Sequence, residues 1–225
     1  MLKFSSRFVL AFVLGVTLAS SAYAQQDKKT IYAVLIDNTG SMRSQFQDVL
    51  ELGDAILERI PNPSEGAVYH FKAEQTKNPS AVVANGLGWT QEKLFLKQYL
   101  ARLFIVPGQT ALLDAIDSVA EQLNTRSTAP DASEKIVVLI TDGEDRSSKT
   151  KEKQLLQNLR DSNIKVYSVG LVRELYSERG FTGKSSREKA VGLLEHLARE
   201  SGGRTVFSKS QPTDILKLVD ELFAK

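Results

Sequence analysis

The sequence of 225 residues has no cysteine, only two histidines, and a near balance of 29 basic and 27 acidic side chains. The absence of cysteine excludes disulfide bonds, zinc thiolate sites and a lipid-modified cysteine, so the core must stabilise the protein without covalent cross-links. His70 and His196 have no cysteine or second histidine near them in the sequence, which argues against a histidine metal site. Neither follows the end of a predicted strand, which argues against a serine-histidine nucleophile. The charge balance shows no basic footprint for nucleic acid.

The first 24 residues differ in composition from the rest. Lys3 and Arg7 precede an apolar run over 8–18, and small residues (AYA) end the segment at Ala24. This layout is typical of a secretory signal peptide, so we predict cleavage after Ala24 and an exported protein, periplasmic or secreted. The run is shorter than the roughly 20 residues that span a bilayer, which makes a retained anchor the weaker alternative. Cleavage removes two basic residues and no acid, so the formal charge falls from +2 to zero.

Residues 25–225 are long enough for a single α/β domain and too short for two comfortable ones. Apolar strand patterns alternate with amphipathic helix patterns, which predicts a doubly wound, mostly parallel sheet of about six strands with helices on both faces. The predicted strands are Ile31–Ile36, Ala67–Phe71, Ser80–Ala84, Lys135–Thr141, Val166–Leu171 and Arg204–Phe207. The second and third are joined by a short connection, so we predict that they pair antiparallel at a sheet edge.

One helix prediction bears on the later argument. We expect a helix after Thr90, with Thr90 as its N-cap, Glu92 in its first turn, and Phe95, Tyr99 and Leu103 on one face. The break at Pro107 ends this pattern, and another amphipathic helix begins at about Leu112.

Short oxygen-bearing side chains follow two of the buried strands. Asp37, Thr39 and Ser41 occupy alternate positions after the first strand, and Asp142 follows the strand that ends at Thr141. Ligands of doubly wound sheets bind beyond the carboxyl ends of the strands, where the strand order reverses. We therefore expect these side chains to converge if the two strands are neighbours.

A fifth oxygen ligand is expected from the loop that carries Thr110, if that loop lies at the same end of the sheet. An all-oxygen set with several neutral hydroxyls suits Mg²⁺, with Mn²⁺ or Ca²⁺ as alternatives. Such a set leaves the cation able to attract one more carboxylate from outside. A polar turn with ordinary helix caps and no metal is the alternative interpretation.

Four segments carry a family resemblance: DNTGS at 37–41, GQTALLDAI at 108–116, TDGE at 141–144 and SGGR at 201–204. In order and spacing, the first three resemble the three parts of the metal-ion-dependent adhesion site of von Willebrand factor type A domains. The fourth resembles the ending before that family's last strand. The resemblance covers almost the whole of residues 25–225.

The resemblance implies a set of metal ligands. Asp37, Thr39 and Ser41 would belong to the first metal-binding loop, Thr110 to the second and Asp142 to the third. Thr39 departs from the family's more frequent serine, but it keeps the hydroxyl. The implied function is a protein-protein interaction module without catalysis, in which the cation holds an acidic side chain of a partner protein. We expect no nucleic-acid partner and no stable membrane span after signal cleavage.

An enzyme is the alternative function. The start of the DNTGS segment also resembles haloacid dehalogenase-type phosphotransferases, with Asp37 as nucleophile and Asp142 and Asp145 as later acids. Those enzymes usually have a second aspartate at the position of Thr39, and this alternative gives the Thr110 loop no role.

Three further expectations concern residues near the predicted site. Asp114 is expected to act structurally at the start of its helix, and Glu144 and Asp145 are expected to be solvated loop acids. The charged segment Arg173–Lys189 follows a predicted parallel strand, so we expect it at the same end of the sheet, where it could contact partners.

Overall fold

The computed structural model describes residues 30–71, 83–126, 134–176, 183–208 and 213–224. The predicted signal peptide lies outside these ranges, as do part of the predicted strand Ser80–Ala84 and part of the segment Arg173–Lys189. Within the ranges described, no helix combines the length and the apolar composition needed to cross a bilayer.

Strands and helices alternate along the chain. The strands are β1 (Thr30–Ile36), β2 (Ser64–Phe71), β3 (Val83–Ala84), β4 (Glu134–Thr141), β5 (Ile164–Gly170) and β6 (Arg204–Phe207). The α-helices are α1 (Phe46–Arg59), α2 (Lys93–Leu100), α3 (Leu112–Arg126), α4 (Glu152–Asp161), α5 (Ser186–Ser201) and α6 (Ile215–Leu222). A 3₁₀ segment, Gly40–Gln45, leads into α1.

The strands form one sheet in the order β3-β2-β1-β4-β5-β6. All neighbours are parallel except β2 and β3, which pair antiparallel with His70 opposite Ala84 and Phe71 opposite Val83. The predicted fold class is therefore confirmed, including the antiparallel edge strand. The chain winds outward in one direction from β1 and in the other from β4, so the strand order reverses between these two neighbours.

Strand β1 is buried on both faces of the sheet. Ile31, Ala33 and Leu35 pack in one core with helices α3, α4 and α5. The alternate residues Tyr32, Val34 and Ile36 pack in a second core with α1, α2 and α6. This two-sided burial explains why β1 has no polar alternation in the sequence.

The prediction for the start of α2 is wrong. Thr90 exchanges backbone hydrogen bonds with Gly66 (2.8 and 2.9 Å), which keeps the chain extended there, and Glu92 occupies the N-cap position. The helix buries Leu96 and Leu100. Of the predicted apolar face, Tyr99 and Leu103 pack partly against the core, whereas Phe95 is 51% exposed.

The segment 101–111 crosses the carboxyl end of the sheet, because α2 lies on one face and α3 on the other. Asn38, directly beyond β1, fixes this crossing. Its carbonyl accepts from the Val106 amide (2.8 Å) and its side-chain Nδ2 donates to the Phe104 carbonyl (2.9 Å). The crossing brings Thr110 to the end of β1.

Candidate metal centre

Asp37 lies immediately beyond β1 and is completely buried. Its amide donates to the Ile140 carbonyl (2.9 Å), which continues the β1–β4 pairing by one residue. Its Oδ1 accepts from the Thr39 amide (3.1 Å) and hydroxyl (2.7 Å), and its Oδ2 accepts from the Thr141 hydroxyl (2.6 Å). These contacts hold the carboxylate in one orientation at the point where the strand order reverses.

Three hydroxyls from two loops meet next to Asp37. Thr39 Oγ1 lies 3.0 Å from Thr110 Oγ1 and 3.4 Å from Ser41 Oγ. Thr39 and Thr110 are buried and Ser41 is exposed. The structure therefore brings the first and second predicted loops together, and the cluster reaches solvent at Ser41.

Asp142 follows β4 and is 2% exposed. Its Oδ1 accepts from the Glu144 amide (2.9 Å). Its Oδ2 is buried and has no hydrogen-bond partner among the described residues. A buried polar atom left without a partner destabilises a protein by about 1–3 kcal/mol, and by more when it is charged.

The negative charges of Asp37 and Asp142 repel each other. Burial, and then the nearby charge of Asp142, raises the pKa of Asp37 from 3.8 to about 6. At neutral pH the site therefore carries buried negative charge with no basic partner among the causes of this shift. A bound cation would compensate that charge.

The donor chemistry fits a hard divalent cation. Two carboxylates and three hydroxyls supply oxygen ligands only, which is the preference of Mg²⁺. In the described ranges no three His, Cys, Asp or Glu side chains lie close enough to hold a metal ion together. The hydroxyls of Thr39, Ser41 and Thr110 would therefore have to complete any coordination sphere.

The loop after β4 is bound to the loop that carries Thr110. The Thr110 carbonyl accepts from the amides of Arg146 (2.9 Å) and Ser147 (3.2 Å). Asp145 Oδ1 accepts from the Leu112 amide (2.9 Å) at the first residue of α3. Asp145 is therefore not only a solvated acid, as predicted, because it supplies an acceptor to the start of this helix.

Asp114 has the structural role that was predicted. Its carboxylate accepts from the amides of Lys149 (3.1 Å) and Thr150 (2.8 Å), and its own amide donates to Ser148 Oγ (3.1 Å). These bonds tie α3 to the segment that precedes α4. Glu144 is a partly buried acid that pairs with Arg146.

The sequence interpretation missed Thr141 as part of the site. Its hydroxyl donates to Asp37 and also accepts from the Gly143 amide (3.0 Å). The residue was assigned to the end of an apolar strand, although it begins the TDGE segment. Asn38 was also missed, because only its tertiary contacts show that it anchors the crossing segment.

The segment after β5 begins at the same end of the sheet, as predicted. The Leu171 amide donates to the Thr141 carbonyl (2.8 Å). Arg187, a basic residue of the segment expected to contact partners, donates to the carbonyls of Val172 (3.1 Å), Arg173 (2.5 Å) and Leu175 (2.9 Å). It thus holds this segment together, and residues 177–182 lie outside the described ranges.

The doubly wound sheet, with an oxygen-lined site at the reversal of strand order, defines an α/β domain with a candidate ion-binding site. The family model for the von Willebrand factor type A domain matches residues 33–221. The chain therefore belongs to the von Willebrand factor type A domain family, as the sequence motifs indicated. A comparison with curated proteins gave no match.

Solved structures share the fold at low sequence identity. An aerotolerance-related membrane protein from Bacteroides fragilis is 18% identical with a TM-score of 0.58, and the match covers 87% of this chain and 96% of that one. BatB from Bacteroides thetaiotaomicron is 18% identical with a TM-score of 0.55, covering 86% and 96%. A von Willebrand factor type A protein from Catenulispora acidiphila is 16% identical with a TM-score of 0.60, covering 86% and 42%. At these identities the likeness shows the fold alone.

Proposed function

We propose that this domain binds a divalent cation and uses it to hold an acidic side chain of a partner protein. The family typically mediates protein-protein interaction. The proposed ligands are Asp37, Thr39, Ser41, Thr110 and Asp142, and the proposed cation is Mg²⁺, with Mn²⁺ or Ca²⁺ as alternatives. When bound, the cation would supply a Lewis-acidic coordination point for the partner's carboxylate.

The observation that carries the proposal is the unpartnered, buried Oδ2 of Asp142. Its charge raises the pKa of Asp37, so the two carboxylates are close enough to repel. Proteins rarely bury an acceptor without a partner, and such an atom calls for an explanation. A cation bound between the loops would satisfy this oxygen and neutralise both charges.

The opening at Ser41 supports a ligand that arrives from outside. Asp37, Thr39 and Thr110 are buried, so their positions are set by the fold, whereas Ser41 and Gly40 are exposed. A carboxylate from a partner would approach on this side. An exported location, with removal of residues 1–24, is part of the proposal.

The phosphatase alternative requires a carboxylate that can reach a phosphorus atom. Asp37 is completely buried, and each of its oxygens already accepts from Thr39 or Thr141. A nucleophile needs an accessible oxygen aligned with its target. This geometry favours binding over catalysis, and no contact of Asp37 favours the enzyme.

Isothermal titration calorimetry tests the metal site. We expect MgCl₂ and MnCl₂ to bind the wild-type domain at one site, and we expect no binding to Asp37→Ala or Asp142→Asn. Glu144→Gln is the matched control, because Glu144 lies two residues from Asp142 and pairs with Arg146 instead. Wild-type affinity in Asp37→Ala would refute the metal site.

The partner is tested by affinity capture from the native cell envelope. Wild-type protein and the Glu144→Gln control should retain the same partner with Mg²⁺ and lose it with a chelator. Asp37→Ala should fail under both conditions. A partner that is retained equally by all three proteins, with or without chelator, would contradict a metal-mediated contact.

A further inference from the structure

A cavity of about 420 Å³ lies next to the candidate metal centre and is not used by it. It is enclosed by the end of β2, the turn around Leu87, helix α2 and the crossing segment 101–106. We call it the rim pocket. Its size is within the range of about 300–1,000 Å³ that is usual for ligand sites.

Two of the polar side chains that line the rim pocket, His70 and Tyr99, are hydrogen-bonded to each other. His70 Nδ1 lies 2.8 Å from the Phe71 carbonyl, which can only accept, so Nδ1 carries the proton. Nε2 therefore accepts from the Tyr99 hydroxyl (2.9 Å), and that hydroxyl accepts from the Gly86 amide (2.9 Å). Because of these hydrogen bonds, the polar groups of Tyr99 and His70 are engaged, and their rings form walls of the pocket.

Asn38 forms the wall between the rim pocket and the metal centre. It is 1% exposed and directly follows Asp37. Its Oδ1 accepts from the Phe71 amide (3.0 Å), while its Nδ2 donates to the Phe104 carbonyl (2.9 Å). The rim pocket is therefore lined by the residue that directly follows the proposed ligand Asp37.

Large apolar side chains surround the opening. Phe104 is 70% exposed, Phe95 51% and Leu87 40%, and all three line the cavity. Arg102 also lines it, is exposed, and has no hydrogen bond or ion pair from its guanidinium among the described residues. The pocket thus offers an apolar surface and one available positive charge at its edge.

We propose that the rim pocket receives a large apolar side chain, aromatic by preference, of the same partner segment whose acidic residue coordinates the cation. This inference rests on the proposed function. The exposed apolar side chains of Phe95, Phe104 and Leu87 favour an apolar occupant, since their contact with it removes apolar surface from water. Arg102 complements the negative charge of an acidic segment.

Asn38 connects the two sites, because it lines the rim pocket and directly follows the proposed ligand Asp37. We therefore expect one partner segment to present both its acid and its apolar side chain. The recognised motif combines one acid with a nearby aromatic or large aliphatic residue.

The first experiment tests the pocket without metal. Amide chemical shifts of the metal-free protein, kept in chelator, are recorded by NMR during titration with N-acetyl-L-phenylalaninamide. N-acetyl-L-alaninamide serves as the comparison. We expect saturable shifts at Gly86, Gln98 and Leu103 for the aromatic probe alone. Phe95→Ala should abolish them. Leu94→Ala should not, because Leu94 is 61% exposed on the same helix and does not line the cavity. Absence of shifts, or equal loss in both variants, overturns the proposal.

The second experiment tests the link to the metal centre. A displayed peptide library with one fixed aspartate and randomised neighbours is selected on the Mg²⁺-loaded domain. We expect chelator-sensitive binders with an aromatic or large aliphatic residue at one constant distance from the aspartate. Phe95→Ala should weaken a selected peptide about tenfold or more without changing Mg²⁺ affinity.

The outcomes separate the two proposals. Chelator-sensitive binders that show no apolar preference overturn the role of the rim pocket and leave the metal function intact. A library without any chelator-sensitive binder refutes the proposed function, and the shared partner segment with it. In that case the metal-free titration still decides whether the pocket binds aromatic groups.

Discussion

Replacing Asp37 by asparagine should have opposite effects on metal binding and on the stability of the metal-free domain. Asparagine keeps the size of the side chain and an oxygen that accepts from Thr39, although its Nδ2 cannot accept from the Thr141 hydroxyl. It removes the negative charge that burial and Asp142 make unfavourable. The variant should therefore bind no Mg²⁺, and yet it should be more stable than the wild-type protein when both are studied in chelator at neutral pH.

The size of the effect follows from the pKa of Asp37. Its rise from 3.8 to about 6 corresponds to about 3 kcal/mol of destabilisation by the ionised form. Because the folded-state pKa is raised, the protonated form favours folding, so this cost is absent below pH 3.8, grows between pH 3.8 and about 6, and is complete above about 6. At pH 7.5 the variant should gain up to about 3 kcal/mol, less the contribution of the lost Thr141 hydrogen bond, and this gain should vanish below the lower value.

Binding of Mg²⁺ should then restore the stability that the wild-type protein loses through its buried charges. At a concentration one hundred times the dissociation constant, binding to the folded state alone stabilises by about 2.7 kcal/mol. This would nearly close the gap between the wild-type protein and Asp37→Asn, whose stability should not respond to Mg²⁺. The assay is urea unfolding at a series of pH values, with chelator and with Mg²⁺.

Two results would refute this reasoning. The first is a variant that is no more stable than the wild-type protein in chelator at pH 7.5, since that would mean that the buried carboxylates do not destabilise the fold by repelling each other. The second is a stability gap that stays constant between pH 6.5 and 4, because the gap must follow the titration of Asp37.

Three further predictions concern the role of Glu144, the absence of phosphatase activity and the removal of the signal peptide. Glu144→Gln should leave Mg²⁺ affinity unchanged in calorimetry, because its carboxylate pairs with Arg146; a large loss of affinity would make Glu144 a ligand. The domain should not hydrolyse a generic aryl phosphate with Mg²⁺, and hydrolysis that disappears in Asp37→Asn would support the phosphotransferase alternative. Intact-mass measurement on protein from the native host should give a chain that begins at Gln25, whereas a chain that keeps residues 1–24 would support a membrane anchor.

The sheet could be predicted because its central strands are buried on both faces. Uninterrupted apolar runs in β1 and β4 leave little choice of structure, and the acid after each run marks the strand end. The convergence of Asp37 and Asp142 could be predicted because the carboxyl ends of neighbouring parallel strands lie at the same edge of the sheet. Thr110 could be included only through its position in a loop and the family resemblance, since a threonine before a helix is more often just a cap.

Contacts between distant loops could not be predicted from sequence patterns. Asp145 accepts from the Leu112 amide and Asp114 from the amides of Lys149 and Thr150, and these partners are 33 to 36 residues apart in sequence. Propensity describes each acid as a loop or first-turn residue and says nothing of its distant partner. The role of Thr141 was hidden similarly, because its hydroxyl reaches Asp37 across 104 positions.

The rim pocket could not be found in the sequence, because helical periodicity identifies apolar stripes but not how deeply each residue of a stripe is buried. With Leu96 and Leu100 buried against the sheet, Phe95 is left exposed beside the cavity, and Tyr99 turns its hydroxyl to His70. Tyr99 and Leu103 pack against the core only in part, so the face that carries them also lines the cavity next to Asn38. A partner's side chain in the rim pocket would cover the exposed part of this face.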